Sequence, residues 1–342
     1  MSETAAFRAE DKIEFEHWFE VQFNGGDRFE IDDSEFQIVE ILPHHAAESN
    51  GESIGKDYFE KTSPILVIPG FLSNKESNKS LLHHLASMDL HVAMIDIIRL
   101  RQGSENGHGG PPAIAQKAAG INEAVNRLGY PRLDVLAHSM ALMPLVYAQQ
   151  ERDDNVLRNV VAVSPAGVAG RANAVDYMNA VRMFLAGISA MNSRANSDHI
   201  WSKTIEYFRK NTIGTIVEGL SIPQQEISPI VADLRNPLDI SILVMANDKF
   251  IRSKRIVNSM SKDGIEPYVG ISSYIDREAR HHAILTEPEA MEAAIDILRA
   301  LRAKEQLKAF QVDRVSKAAG FTVLNREVDT DGLLSIPASD EV

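Results

Sequence analysis

The serine at position 139 stands where a side-chain alcohol could be made into a nucleophile. It lies in Leu136-Ala137-His138-Ser139-Met140-Ala141, between an apolar strand pattern (Leu133 to Leu136) and a helix-like run (Ala141 to Gln150). A strand that turns sharply into a helix through small-x-Ser-x-small holds its serine in a strained backbone conformation with Oγ exposed, an arrangement called a nucleophile elbow. The usual small residues are glycines. Ala137 and Ala141 are the next size up and meet the same demand, since a larger side chain would collide with the adjoining strand and helix. An alcohol is too weak to attack a carbonyl unaided. It needs an imidazole to take its proton and a carboxylate to fix the ring's tautomer and stabilise its cation.

Other apolar strand patterns end in residues of the required types. Pro64-Ile65-Leu66-Val67-Ile68 runs into Pro69-Gly70-Phe71-Leu72-Ser73-Asn74, and Ile240 to Ala246 runs into Asn247-Asp248-Lys249-Phe250-Ile251. A further pattern, Tyr268 to Ile275, precedes Arg280-His281-His282-Ala283-Ile284-Leu285-Thr286-Glu287-Pro288. In content and in chain order these segments resemble the α/β-hydrolase superfamily. The resemblance implies Ser139 as nucleophile, Asp248 as the acid and a histidine ahead of Glu287-Pro288 as the base. Counting back from Glu287 selects His282, with His281 as the alternative. The resemblance also implies an oxyanion hole made by the backbone N–H groups of Phe71 and Met140, with Leu72 as an alternative to Phe71. Pro69 departs from the His-Gly common in the family, which removes a side-chain donor and leaves the backbone hole. Asp176 and Asp233 rank below Asp248 as the acid, and Asp96, in or at the end of a strand, reads as structural.

The elements that must position these residues follow from pattern and punctuation. Ile13 to Phe23 and Arg28 to Leu42 are rich in aromatic and branched residues around Asn24-Gly25-Gly26-Asp27, which predicts an opening hairpin. His44 to Ser63 is polar and reads as a loop, Ser77 to Met88 as a short helix and His91 to Ile98 as a strand. Pro112 to Leu128 reads as a helix, with proline at its start, Gly129 just past its end, and Ile114, Ala118, Ile121, Val125 and Leu128 on one face. Pro144, one turn into the helix after the elbow, predicts a lost hydrogen bond and a kink. No strand pattern appears between Val163 and Ile240, although a crossover usually takes about a dozen residues, so an inserted helical cap is expected there. Its Val175 to Met191 stretch offers Met178, Met183 and Phe184 either as packing core or as an adaptable apolar wall for substrate. The expected organisation is a first hydrolase-core part over 1–166, a cap over 167–236, a second core part over 237–307 and an extension over 308–342 with one possible strand, Phe321 to Leu324. The resemblance implies a mostly parallel twisted sheet, helices on both faces, and catalytic loops at the strands' carboxyl ends.

Composition narrows the function. A chain of 342 residues with 44% hydrophobic content can bury a large core, and its formal net charge of −13 would be repelled by nucleic acid or an anionic membrane. Without cysteine it has no disulfide and no thiol nucleophile. The start of the chain lacks a signal-peptide pattern and no apolar run of membrane-spanning length occurs, so a cytoplasmic protein is expected. The paired histidines 44-45, 83-84 and 281-282 point apart on a strand or helix, so no metal is expected, and Gly107-His108-Gly109-Gly110 lacks the phosphate loop's lysine and following hydroxyl. The expected function is a cofactor-free serine hydrolase that cleaves an ester of a small apolar acyl substrate through an acyl-enzyme. Thioester, lactone, amide or carbon–carbon cleavage on the same triad, or a non-catalytic receptor, are the alternatives.

Overall fold

The computed structural model describes residues 9–43, 63–70, 73–100, 112–168, 233–245, 272–276, 283–302 and 321–324, with single positions 209, 227, 230, 231, 248 and 281. In chain order these form α1 (Ala9–Asn24), β1 (Asp27–Ile31), β2 (Ser34–Ile41), β3 (Ile65–Ile68), α2 (Lys79–Ser87), β4 (Val92–Arg99), α3 (Pro112–Leu128), β5 (Leu133–His138), a 3-10 turn (Ser139–Ala141), α4 (Leu142–Glu151), β6 (Leu157–Val163), β7 (Asp239–Met245), β8 (Ser272–Asp276), α5 (Ala283–Thr286), α6 (Pro288–Arg302) and β9 (Phe321–Leu324). The nine strands make one sheet in the order β1-β2-β4-β3-β5-β6-β7-β8-β9. Its six inner strands from β4 to β8 run parallel, while β1, β2 and β9 pair antiparallel at the two ends.

The parallel strands β3 to β7 read as largely apolar runs because both faces are covered. Leu66, Ile68, Val135 and Val160 pack beneath α3 and α4, while Ile65, Val67, Leu136 and Val161 pack against α1, α2 and α6. Every parallel crossover then delivers the loops after β3, β5, β6 and β7 to the same end of the sheet, where the candidate chemistry lies.

Two local expectations change. The first arm of the predicted hairpin is the helix α1: Phe15, Phe19 and Phe23 recur every fourth residue, are buried, and stack at centroid distances of 6.5 and 5.6 Å. Aromatic content favoured a strand, and helical spacing outweighed it. The hairpin is instead β1–β2, turning at Asp32 and Asp33, whose φ values of 47° and 63° suit a two-residue turn matched to strand twist. Pro144, the third residue of α4, loses nothing, because the first four N–H groups of a helix have no intrahelical acceptor.

Gly167 closes the loop after β6, and its carbonyl accepts the N–H of Ile227 at 3.1 Å. The chain thus returns at 227 to the place it left at 167. Almost all the intervening residues lie outside those described, as do residues 44–62 and the extension apart from β9. No helix among the described residues is long and apolar enough to cross a membrane.

Candidate active site

β5 delivers Ser139 to the carboxyl end of the sheet and the chain reverses there. His138 is still extended, at φ −99° and ψ 132°, whereas Ser139 takes φ 57° in the left-handed region that only glycine occupies freely. Holding a serine there costs about 1–3 kcal/mol, so surrounding structure must impose it. Ala137 and Ala141 are fully buried on either side, and the N–H of Ala166, in the loop after β6, donates to the Ser139 carbonyl at 3.0 Å. The loop after β3 closes the third side. A Cβ on Gly70 would lie 3.1 Å from Ser139 Cβ and 3.0 Å from the His138 carbonyl oxygen, so only glycine lets that loop approach the elbow so closely.

Asp248 follows β7, its N–H bonded to the carbonyl of Met245, and is 6% exposed. Its Oδ2 accepts a 2.6 Å hydrogen bond from Nδ1 of His281, which is 7% exposed. A carboxylate can only accept, so Nδ1 carries the proton and Nε2 is left as the basic nitrogen. The His281 carbonyl in turn accepts Nε2–H of His138 at 2.9 Å. That bond ties the residue before the serine to the main chain of the imidazole, across 143 positions of sequence.

Beneath the Gly70 loop sits a buried polar knot. Ser73 and Ser77 share a hydroxyl–hydroxyl bond at 2.8 Å, and Asn78 Nδ2 donates to Ser73 Oγ at 2.8 Å and to the carbonyl of Asn74 at 2.7 Å. Asp96, on β4, accepts the Lys75 N–H at 3.0 Å. Burial pushes the Asp96 carboxyl up to about 6, against the pull of that bond and the Lys75 charge. Another titratable cluster lies at the far end of the strands. There Glu40 accepts Tyr130 Oη–H at 2.6 Å and a ring nitrogen of His91 at 2.8 Å. Burial works to raise the Glu40 carboxyl, but the bonds from His91 and Tyr130 bring it below its ordinary value.

The elbow is therefore where small-Ser-small put it, and Asp248 lies next to a histidine. That histidine is His281, the alternative to the His282 selected by counting back from Glu287. The short helix α5, with Glu287 N–H bonded to the Ala283 carbonyl, stands between His281 and α6. His282, Phe71, Leu72, Met178, Met183, Phe184 and Asp176 lie outside the described residues. Asp233 is exposed on a turn before β7, away from any histidine pairing described. Met140, within the 3-10 turn, has its side chain fully buried in the core. Among the described residues no three His, Cys, Asp or Glu side chains are grouped to hold a metal ion. His138 and the Ser73–Asn78 knot are not marked by any motif of the sequence. The repeated Ser-Asn-Lys of 73–75 and 77–79 was the only visible trace of the knot.

No family model and no curated protein matches the sequence. Solved structures do. The chain is similar to an esterase from Exiguobacterium antarcticum, with a TM-score of 0.59 and 12% identity over 80% of this chain and 100% of that one. It is similar to the N-formylmaleamic acid deformylase of Pseudomonas putida S16, with a TM-score of 0.54 and 17% identity over 79% of this chain and 100% of that one. A bromoperoxidase from Bacillus anthracis aligns with a TM-score of 0.56 and 10% identity over 80% and 100%. With the strand order and the strained serine turn, these define the class: the chain has the α/β-hydrolase fold.

Proposed function

We propose that the protein is a serine hydrolase that cleaves a carboxylic ester of a small apolar acyl substrate through an acyl-enzyme. The observation that carries this reading is the 2.6 Å bond from His281 to Asp248, held against an elbow whose serine is forced to positive φ. Ser139 attacks the carbonyl carbon as His281 Nε2 takes the hydroxyl proton. Asp248 keeps the ring oriented and stabilises the imidazolium. The backbone N–H groups of Phe71 and Met140 receive the developing oxyanion, which the nearness of Gly70 to Ser139 supports. The tetrahedral intermediate expels the alcohol, protonated by His281, and water then hydrolyses the acyl-enzyme by the same route. The names of similar structures, esterases among them, support an ester over other acyl bonds. We assign the segment 167–236 as a cap whose Met178, Met183 and Phe184, together with Leu72, line the acyl site. The Gly167–Ile227 bond, which brings position 227 of that segment back to its start in the loop after β6, supports this.

A fluorophosphonate probe tests the reading. It should add one adduct to the folded protein at Ser139, and Ser139→Ala should lose both the adduct and turnover of p-nitrophenyl butyrate. His281→Ala should lower turnover by about 10³-fold or more, while His282→Ala keeps most of it, since only one imidazole can reach the serine. An unlabelled wild-type protein, inactive on a panel of short acyl esters, would favour a non-catalytic receptor.

A further inference from the structure

His138 does more than precede the nucleophile. It is 3% exposed at the end of β5, and its imidazole lies 5.0 Å, centroid to centroid, from that of His281. The His281 carbonyl cannot donate, so the 2.9 Å contact fixes the proton on His138 Nε2. A Cβ on Gly70 would stand 3.1 Å from His138 Nδ1, so the ring is packed against the loop after β3 on its other side. One side chain therefore touches the serine's own strand, the Gly70 loop and the main chain of the residue whose ring meets Asp248.

This matters because the base sits on a connection and not on a strand. The described elements flanking His281 are β8, which ends at Asp276, and α5, which begins at Ala283. The bond to Asp248 fixes the ring at Nδ1 but leaves it a pivot about that contact. A second tie to the backbone of the same residue removes the pivot and sets where Nε2 points, as second contacts do for other working imidazoles. We propose that His138 is a positioning residue, whose Nε2–H bond to the His281 carbonyl holds the base at working distance from Ser139. The proposal rests on the assignment of Ser139, His281 and Asp248 above.

Substitution separates the bond from simple packing. His138→Phe keeps a ring of similar size and removes the donor, whereas His138→Gln places an amide N–H at nearly the reach of Nε2. We expect kcat for p-nitrophenyl butyrate to fall about 10- to 100-fold in His138→Phe with KM within about twofold, and to recover to within about threefold of wild type in His138→Gln. Histidine-selective 15N NMR gives a readout independent of turnover. The ring 15N chemical shifts of His281, which lies against Asp248 and His138, should move in His138→Phe and return in His138→Gln. If wild-type protein neither turns over nor takes the phosphonate, the hydrolase reading fails, and the NMR comparison still decides whether His138 positions His281. Wild-type kcat and unmoved His281 ring shifts in folded His138→Phe would overturn the proposal, as would equal losses in the Phe and Gln variants. If the phenylalanine variant does not fold, His138→Met supplies the donorless arm of the same comparison.

Discussion

Gly70→Ala is the sharpest perturbation available to the site. The added methyl would meet the His138 carbonyl oxygen at 3.0 Å, His138 Nδ1 at 3.1 Å and Ser139 Cβ at 3.1 Å, all shorter than the approximately 3.5–4.0 Å at which heavy atoms rest comfortably. Something must retreat by about half an ångström. The elbow cannot, because Ser139 is bonded through its carbonyl to Ala166 and β5 is paired on both sides by β3 and β6. The Gly70 side must move instead, carrying with it the residue expected to supply an oxyanion donor. Gly70 is not in the left-handed backbone region, so the substitution acts through space alone. A donor must lie about 2.7–3.1 Å from the oxyanion, and losing one costs about 2.7–4 kcal/mol, or 10²–10³ in kcat. Partial retreat should give about tenfold and complete retreat about a thousandfold, with KM within about twofold and overpacking limited to about 1–3 kcal/mol of stability. The assay is steady-state hydrolysis of p-nitrophenyl butyrate beside urea unfolding. Unchanged kcat in a folded variant would show that the Gly70 loop holds no donor. A rise in KM with kcat intact would show that it contacts substrate only in the ground state.

Two further outcomes concern the frame around the site. Asp96 has a folded pKa of about 6 against 3.8 ordinarily, so the native state binds the extra proton and stability falls as pH rises from about 4 to about 6. Asp96→Asn removes that penalty and should gain up to about 3 kcal/mol in urea unfolding at pH 8, with no gain at pH 4; equal effects at both pH values would contradict it. Arg302, at the end of α6, donates to the fully buried Asp134 and to the Ser63 carbonyl, leaving Asp134 with Asn159 Nδ2 at 2.7 Å and Arg132 at 3.9 Å once it is removed. Arg302→Ala should therefore cost about 2–4 kcal/mol, and a loss below about 0.5 kcal/mol would mean that Asn159 and Arg132 satisfy the carboxylate without it.

What the sequence disclosed followed from where a single residue type has few uses. The elbow was legible because Ser139 sits between small residues at a strand end, and the inner strands were legible as short apolar runs. The helix α1 was not, because Phe15, Phe19 and Phe23 satisfy a strand's composition and a helix's spacing together. The histidine that pairs with Asp248 could not be singled out, because two adjacent histidines are equivalent to any count, and only the fold says which ring meets Asp248. His138 escaped notice for a similar reason. Its partner is a backbone carbonyl, a group every residue owns and no sequence pattern marks.

The two ends of the sheet carry a consequence for solubility. A parallel block of six strands, left open, would present bare ladder edges on which another chain could polymerise. Here β2 with β1 caps one flank, and β9 caps the other through the register from Ser273–Leu324 to Asp276–Phe321. The edges that remain are five and four residues long, and β1 begins Asp27-Arg28 and carries Glu30. Short and charged edges are poor templates for aggregation. The polar C-terminal segment, to which the sequence assigned no role, thereby contributes β9 as a guard on a strand whose exposure would turn the sheet into a seed for misassembly.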